Sequence, residues 1–193
     1  MMKSKLPRLS FWQIFNISFG FLGVQIGYSL QMGNTSRILS ALGSNVEHLS
    51  YFWLAAPFAG LIVQPIVGLS SDKLWTRMGR RVPFIILGSL TSALAMFFMP
   101  NSEHFASFIY PVFFGAFNIT MQPFRALVGD VVSDEQRNLG YSVQSFLINT
   151  GAVIGSLLPF ALDWFGVANT PAPGAKVAPT VIWAFYLGGG CLL

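Results

Sequence analysis

Apolar residues come along this chain in long blocks, and short polar stretches separate them. Six blocks stand out: Phe11–Met32, Leu49–Leu69, Val82–Met99, Phe105–Val128, Tyr141–Leu162 and Pro179–Leu193. A helix crossing a hydrocarbon core of about 30 Å needs about 20 mainly apolar residues. Each block therefore predicts a membrane-spanning α-helix, and the fold expected is an all-α integral membrane bundle of six transmembrane helices over residues 11–193, preceded by a basic segment, 1–10. The last block is short. Its 15 residues reach about 22 Å at the helical rise, so the chain is expected to stop inside its sixth helix.

The polar stretches set the orientation. Lys3, Lys5, Arg8, Lys73, Arg77, Arg80, Arg81 and Arg137 fall on one side of the predicted membrane, and only Arg37 and Lys176 on the other. Lys and Arg are retained on the cytoplasmic side, which predicts a cytoplasmic N-terminus in a multi-pass cell (plasma or inner) membrane protein. The apolar run after the basic start is too long for the core of a cleaved signal peptide, so it reads as a helix that stays.

Within the spans, polar residues recur at helical spacing. Asn118, Gln122 and Arg125 lie at i, i+4 and i+7 on the fourth helix, which is one face. Gln13, Asn16, Gly20, Gly27, Gln31 and Asn34 follow a similar stripe on the first helix. Gly60, Gln64 and Gly68 do so on the second, and Ser142, Ser145, Asn149 and Ser156 on the fifth. Facing amides and hydroxyls offer donors and acceptors without fixed charge, which suits a neutral polyhydroxylated ligand. Tyr28 and the many Phe can supply apolar faces for a sugar ring. The expected substrate-binding set is Tyr28, Gln31, Asn34, Gln64, Asn118, Gln122, Arg125 and Asn149. An ionisable residue at membrane depth, here Arg125, marks a functional path by default. The competing reading makes these groups interhelical glue. The pairs Gly23/Gly27 and Gly151/Gly155 read as close-packing points of the bundle. Pro57, Pro65 and Pro123, inside helices, each remove a backbone donor.

Composition removes most other classes. The chain is 53% hydrophobic and 9% charged, where soluble domains carry about 25% charged residues, and mean hydropathy is +0.60. Lipid is its solvent. The net charge of +4 does not point to nucleic acid, because the basic residues sit in short loops and form no stripe. The single Cys191 excludes an internal disulfide and a thiolate metal cluster. His48 and His104 are expected in outer loops. No nucleophile–base pair, metal-ligand set or cofactor motif is present, so an enzyme is not expected.

The stretch "GLSSDKLWTRMGRRVPF", Gly68–Phe84, is a tight basic turn between two helices. Asp72, Arg77, Arg80, Arg81 and Asp130 are expected to meet at the cytoplasmic surface as a gate, a contact made in one conformation and broken in another. Gly68, Asp72, Gly79, Arg80 and Arg81 resemble the signature loop of the major facilitator superfamily. The longer spacing from Asp72 to Gly79 and the "GRRVPF" ending resemble its sucrose/maltose-transporter branch, the glycoside–cation symporters. So do "GVQIGYSLQMGNTSRILSALG" (Gly23–Gly43), "LIVQPIVGLSSD" (Leu61–Asp72) and "NITMQPFRALVGD" (Asn118–Asp130). The resemblance implies the N-terminal half of a secondary transporter of sucrose- or maltose-like glycosides. It implies proton-coupled symport by alternating access between two six-helix halves, with Gln31, Asn118 and Arg125 near the sugar cavity and Asp72, Arg80 and Arg81 at the gate. The partners implied are a sugar, protons, the bilayer, and a second six-helix half or a second copy.

Two positions depart from the family pattern. Its usual aspartate, eleven residues before the fourth-helix arginine, is Phe114 here, and a common bacterial glutamate is Gln122. The alternatives are thus an uncoupled facilitator, a transporter of another polar solute, or a non-transporting membrane fragment.

Overall fold

The computed structural model describes residues 6–41, 46–101, 106–171, 173 and 175–193; side chains at 39, 46–53, 55, 56, 101 and 106–114 fall outside the description. Among the described residues, six α-helices follow one another: α1 (Phe11–Ala41), α2 (Val46–Lys73), α3 (Val82–Phe98), α4 (Ala106–Val131), α5 (Arg137–Trp164) and α6 (Pro179–Gly190). Two 3-10 turns, Met99–Asn101 and Asp134–Gln136, extend α3 and lead into α5.

Every apolar block lies on a helix, but the ends move. Predicted to stop at Met32, α1 runs on to Ala41, so "GNTSRI" is helix and no loop. The reason is local. Asn34 Nδ2 donates to Leu30 O at 3.1 Å and Thr35 Oγ1 to Gln31 O at 2.5 Å. These i to i−4 bonds satisfy the polar side chains on their own helix. His48 falls in the first turns of α2, although a loop was expected, and its side chain is outside the description; His104 lies outside the described residues.

By length and apolarity, one described stretch, Asp134–Trp164, suffices to cross a membrane. α3 has 17 residues and α6 has 12, while the polar stripe of α1 lowers its hydropathy.

α1 packs mainly against α5, and α4 against both α2 and α3, while α6 closes the bundle against α3, α5 and α1. The main core is built from Phe21, Leu30, Met96, Phe117, Phe124 and Phe185. A second cluster, Ile14, Val128, Val132, Val143 and Leu147, lies at the end where α1 begins. A Cβ on Gly151 would come within 2.6 Å of Leu22 O, and one on Gly155 within 2.5 Å of Ile26 O. The α5 backbone thus rests directly on the α1 backbone, the close approach that small residues permit between helices. Gly23 serves likewise against Cys191 O, and Gly27 against Phe117 and Met96. Helix α2 continues through Pro57 and Pro65, and α5 through Pro159.

Candidate functional site

Two groups of polar residues emerge, one along the bundle and one at the end that carries the chain's start. The first follows the stripes. Gln64 Nε2 on α2 donates to Asn118 Oδ1 on α4 at 2.6 Å. One turn toward the basic end, Gly68 faces the Gln122 side chain. The stripes of α2 and α4 therefore meet. On α1, Gln31 is fully buried (0% exposed), and neither its Oε1 nor its Nε2 has a hydrogen-bond partner among the described residues. Such a group carries a desolvation penalty of roughly 1–3 kcal/mol, a cost that packing alone does not explain. Tyr28 is half-buried, with its ring edge-on to Phe117 at 5.9 Å.

Asn34 is buried at 9% exposure, and the other two members are open. Arg125 is exposed and makes no ion pair among the described residues. Asn149 is exposed and donates to Ser145 O of its own helix at 2.8 Å. Ser142, Ser145 and Ser156 are exposed with it, so the α5 stripe faces out of the bundle. Gln13 leaves the α1 stripe. Its Oε1 accepts from Ser10 N at 2.8 Å while Ser10 Oγ accepts from Gln13 N at 3.3 Å, a reciprocal capping box at the start of α1. The side chain of Phe114 is outside the description.

The second group is ionic. Arg81, 8% exposed, joins three helices. Its Nε donates to Asp130 Oδ2 at 2.9 Å, its Nη1 to Ser71 Oγ at 2.6 Å, and its Nη2 lies 2.6 Å from Asp72 Oδ1. Arg80 Nη2 reaches the other Asp130 oxygen at 2.6 Å. The turn between α2 and α3 makes this possible. Thr76 and Gly79 exchange backbone bonds at 3.4 and 3.0 Å, and Thr76 Oγ1 donates to Gly79 O at 2.7 Å. Gly79 has φ +91, a conformation costly for any residue with a Cβ. That turn returns Arg80 and Arg81 toward the end of α2. Of the five expected gate residues, Asp72, Arg80, Arg81 and Asp130 come together. Arg77 does not: it is exposed and makes no ion pair among the described residues.

Three of the four charges in this cluster sit at the unfavourable end of a helix. Asp72 and Asp130 occupy the last turns of α2 and α4, and Arg81 stands at the N-cap of α3. Helix dipoles oppose each of these placements by about 0.3–1 kcal/mol. The charges are stabilised by one another, so separating the helix ends would expose three unfavourable placements at once.

Sequence reasoning did not single out three contacts. Ser71 supplies a hydroxyl to Arg81, and the only signal was its place beside Asp72. Gln144, buried on α5 off the serine stripe, donates to Phe124 O at 3.0 Å. Gln136 grips Leu9 by both backbone groups, accepting from its N at 2.9 Å and donating to its O at 2.8 Å. Beside it, Glu135 pairs with Arg8. This hydrogen bond and the carboxylate charge raise the Arg8 pKa above its ordinary value, so Arg8 stays charged.

Among similar sequences, a general alpha-glucoside permease of Schizosaccharomyces pombe is 29% identical over 176 residues, 82% of this chain and 32% of the permease. The sucrose transport protein SUC3 of Arabidopsis thaliana is 31% identical over 157 residues, 69% of this chain and 26% of its own length. Sucrose transport protein SUT5 of Oryza sativa is 31% identical over 160 residues, 70% of this chain and 30% of its own length. The chain thus spans about a third of the length of the curated relatives it matches. The family model described as Major Facilitator Superfamily matches residues 12–193, nearly the whole chain, and with the charge cluster at its signature loop this chain belongs to that family of multi-pass membrane proteins.

Proposed function

We propose that this chain forms the N-terminal six-span half of a sugar transporter in the cell membrane, with its N-terminus in the cytoplasm. The half works by alternating access together with a second six-helix half or a second copy. The observation that carries the reading is the four-residue charge cluster of Asp72, Arg80, Arg81 and Asp130, which ties the ends of α2, α3 and α4. Such a cluster gives a two-state element something to make and break. The substrate class rests on the relatives, named as sucrose and alpha-glucoside transporters, and on the neutral amide face of Gln31, Gln64, Asn118 and Gln122. Arg125 stands as the charged end of that face and donates to sugar hydroxyls, with Tyr28, Asn34 and Asn149 as further contacts.

Proton-coupled symport is the first form of this reading. A specific observation favours the second form, an uncoupled facilitator: Phe114 and Gln122 occupy the positions where the family carries acids. Without a carboxylate at depth the usual proton carrier is missing. The test is uptake of labelled sucrose and maltose by the complete gene product. Uptake that Arg125→Ala lowers supports the sugar path, and uptake unchanged in that variant removes Arg125 from it. Uptake that survives a protonophore identifies the facilitator, and collapse of accumulation identifies symport.

A further inference from the structure

At the end of the bundle opposite the charge cluster, α1 and α5 part to leave a cleft of ≈ 220 Å³. Asn34, Arg37, Ser156, Pro159, Phe160 and Asn169 line it. Asn34 belongs to the expected substrate-binding set and Ser156 to the α5 stripe; the other lining residues were not singled out above. The geometry points to this cleft as a separate subsite for one glycosyl ring, an outer station ahead of the inner amide face; the inference rests on the sugar-transport reading.

The free atoms decide the ligand. Asn34 gives Nδ2 to Leu30 O, which leaves its Oδ1 as a bare acceptor. Arg37 gives Nη2 to Asn169 O at 2.9 Å and Asn169 Oδ1 at 2.8 Å, which leaves Nε and Nη1 as donors. The Ser156 hydroxyl can do either. Phe160, 69% exposed, supplies an open apolar face. An acceptor, a donor, a hydroxyl and an aromatic face match a pyranose, whose hydroxyls both donate and accept and whose C–H face is apolar. An inorganic anion such as phosphate is mainly an acceptor and has no apolar C–H face to lay on Phe160, so it would meet this lining less well than a sugar ring. The size agrees: sites for drug-sized ligands run from about 300 Å³ upward, so this cleft suits one ring and not a disaccharide.

The walls are also fixed in advance. Asn169 Oδ1 accepts from Thr180 Oγ1 at 3.0 Å as well as from Arg37, which ties the α5–α6 connection to α1. One turn below, Gly155 rests on Ile26 O. A preformed cleft avoids the ordering cost that a mobile one would add on binding. Toward the middle of the bundle, the next polar residue on this face of α1 is Gln31, with both amide atoms unpaired.

The test is cysteine protection in nanodiscs, with Cys191→Ser as background. Ser156→Cys reports on the cleft, and Trp164→Cys, on an exposed residue outside the lining, is the control. Methyl α-glucoside is expected to slow alkylation at Ser156→Cys roughly tenfold when present at about ten times its Kd. It should leave Trp164→Cys unchanged, and adding Phe160→Ala should abolish the protection. Because Phe160 is exposed, its truncation leaves the packing intact. No protection, equal protection at Trp164→Cys, or protection by inorganic phosphate in place of the glucoside overturns the subsite. Sucrose uptake by the complete gene product is measured alongside. Uptake without protection sinks the cleft and spares the transport reading, and protection without uptake does the reverse.

Discussion

Arg81 Nε and Asp130 Oδ2 are 2.9 Å apart, and the same carboxylate receives Arg80 on its other oxygen. A buried guanidinium thus bridges three helix ends through partners that differ in exposure, since Asp130 is largely covered and Asp72 is half exposed. Removing Arg81 leaves Asp130 with one partner and Ser71 with none of its guanidinium contact. Breaking such a pair from one side costs roughly 3–5 kcal/mol. Arg81→Ala is therefore expected to lower the thermal unfolding midpoint strongly in detergent or nanodiscs. Asp72→Asn should change stability by about 1 kcal/mol or less, because exposed pairs contribute little. Equal effects from the two variants would contradict the central place given to Arg81.

Gln31 predicts a conflict between stability and activity. Its side chain is fully buried with both polar atoms unpaired. Gln31→Leu keeps much of the volume and removes the unsatisfied groups, so a gain of roughly 1–3 kcal/mol is expected. In the complete gene product the same change should lower sugar uptake. A variant that is both less stable and fully active would show that Gln31 is a packing residue.

The glycines of α5 predict a steric series. Gly155→Leu must push α5 off Ile26 O, and Gly151→Leu must push it off Leu22 O, so both should reduce the yield of folded protein in a thermal or fluorescence-detected gel-filtration assay. Gly60 on α2 has nothing within 4 Å of its missing Cβ. Gly60→Ala should be neutral or stabilising by about 0.5–1 kcal/mol, the helical difference between the two residues.

The start of the chain gives a prediction about salt and pH. Gln136 holds Leu9 by two backbone bonds, whereas Arg8 meets Glu135 in the open. Gln136→Ala should speed hydrogen exchange at the Leu9 amide more than Arg8→Ala does. The Arg8 contribution should fade on going from 0.15 to about 1 M salt, as exposed pairs do. Its pKa is raised in the folded state, so this contribution is present below the ordinary guanidinium value of the unfolded chain and lost only as pH rises through the higher folded value. Across the neutral range the guanidinium itself adds no pH dependence.

Much of this was legible from the residues. Among the described residues each apolar block carries an α-helix, since hydrophobic spacing reports which segments need burial from water, while one described stretch has the length and apolarity to cross a membrane. The "GRR" motif beside Asp72 gave the charge cluster, since opposite charges at adjoining helix ends have few other partners. Boundaries were less legible. Asn34 and Thr35 looked like loop residues because their polarity was visible and their bonds back to Leu30 O and Gln31 O were not. Gln13 matched a stripe by spacing, yet its amide is spent on Ser10. Arg77 resembled its neighbours in sequence, but the Thr76–Gly79 turn directs it away from them. Spacing identifies a face; which partner each polar atom takes depends on tertiary contacts that spacing does not encode.

The contact of Gly151 and Gly155 with the α1 backbone has a mechanical consequence. Two helices that touch carbonyl to Cα over a full turn cannot slide past one another without lifting apart, so α1 and α5 travel as a single strut. The residues from these helices that line the outer cleft, among them Asn34, Arg37, Ser156 and Phe160, are mounted on that strut and keep their mutual spacing as it moves. Most of the amide face is mounted differently: apart from Gln31 on α1, it rests on α2 and α4, which Gln64 and Asn118 join by their own hydrogen bond. A rocking motion would therefore alter the distance between the two stations and not the shape of the outer one, which makes the separation of α1 from α2 the coordinate to follow with paired spin labels.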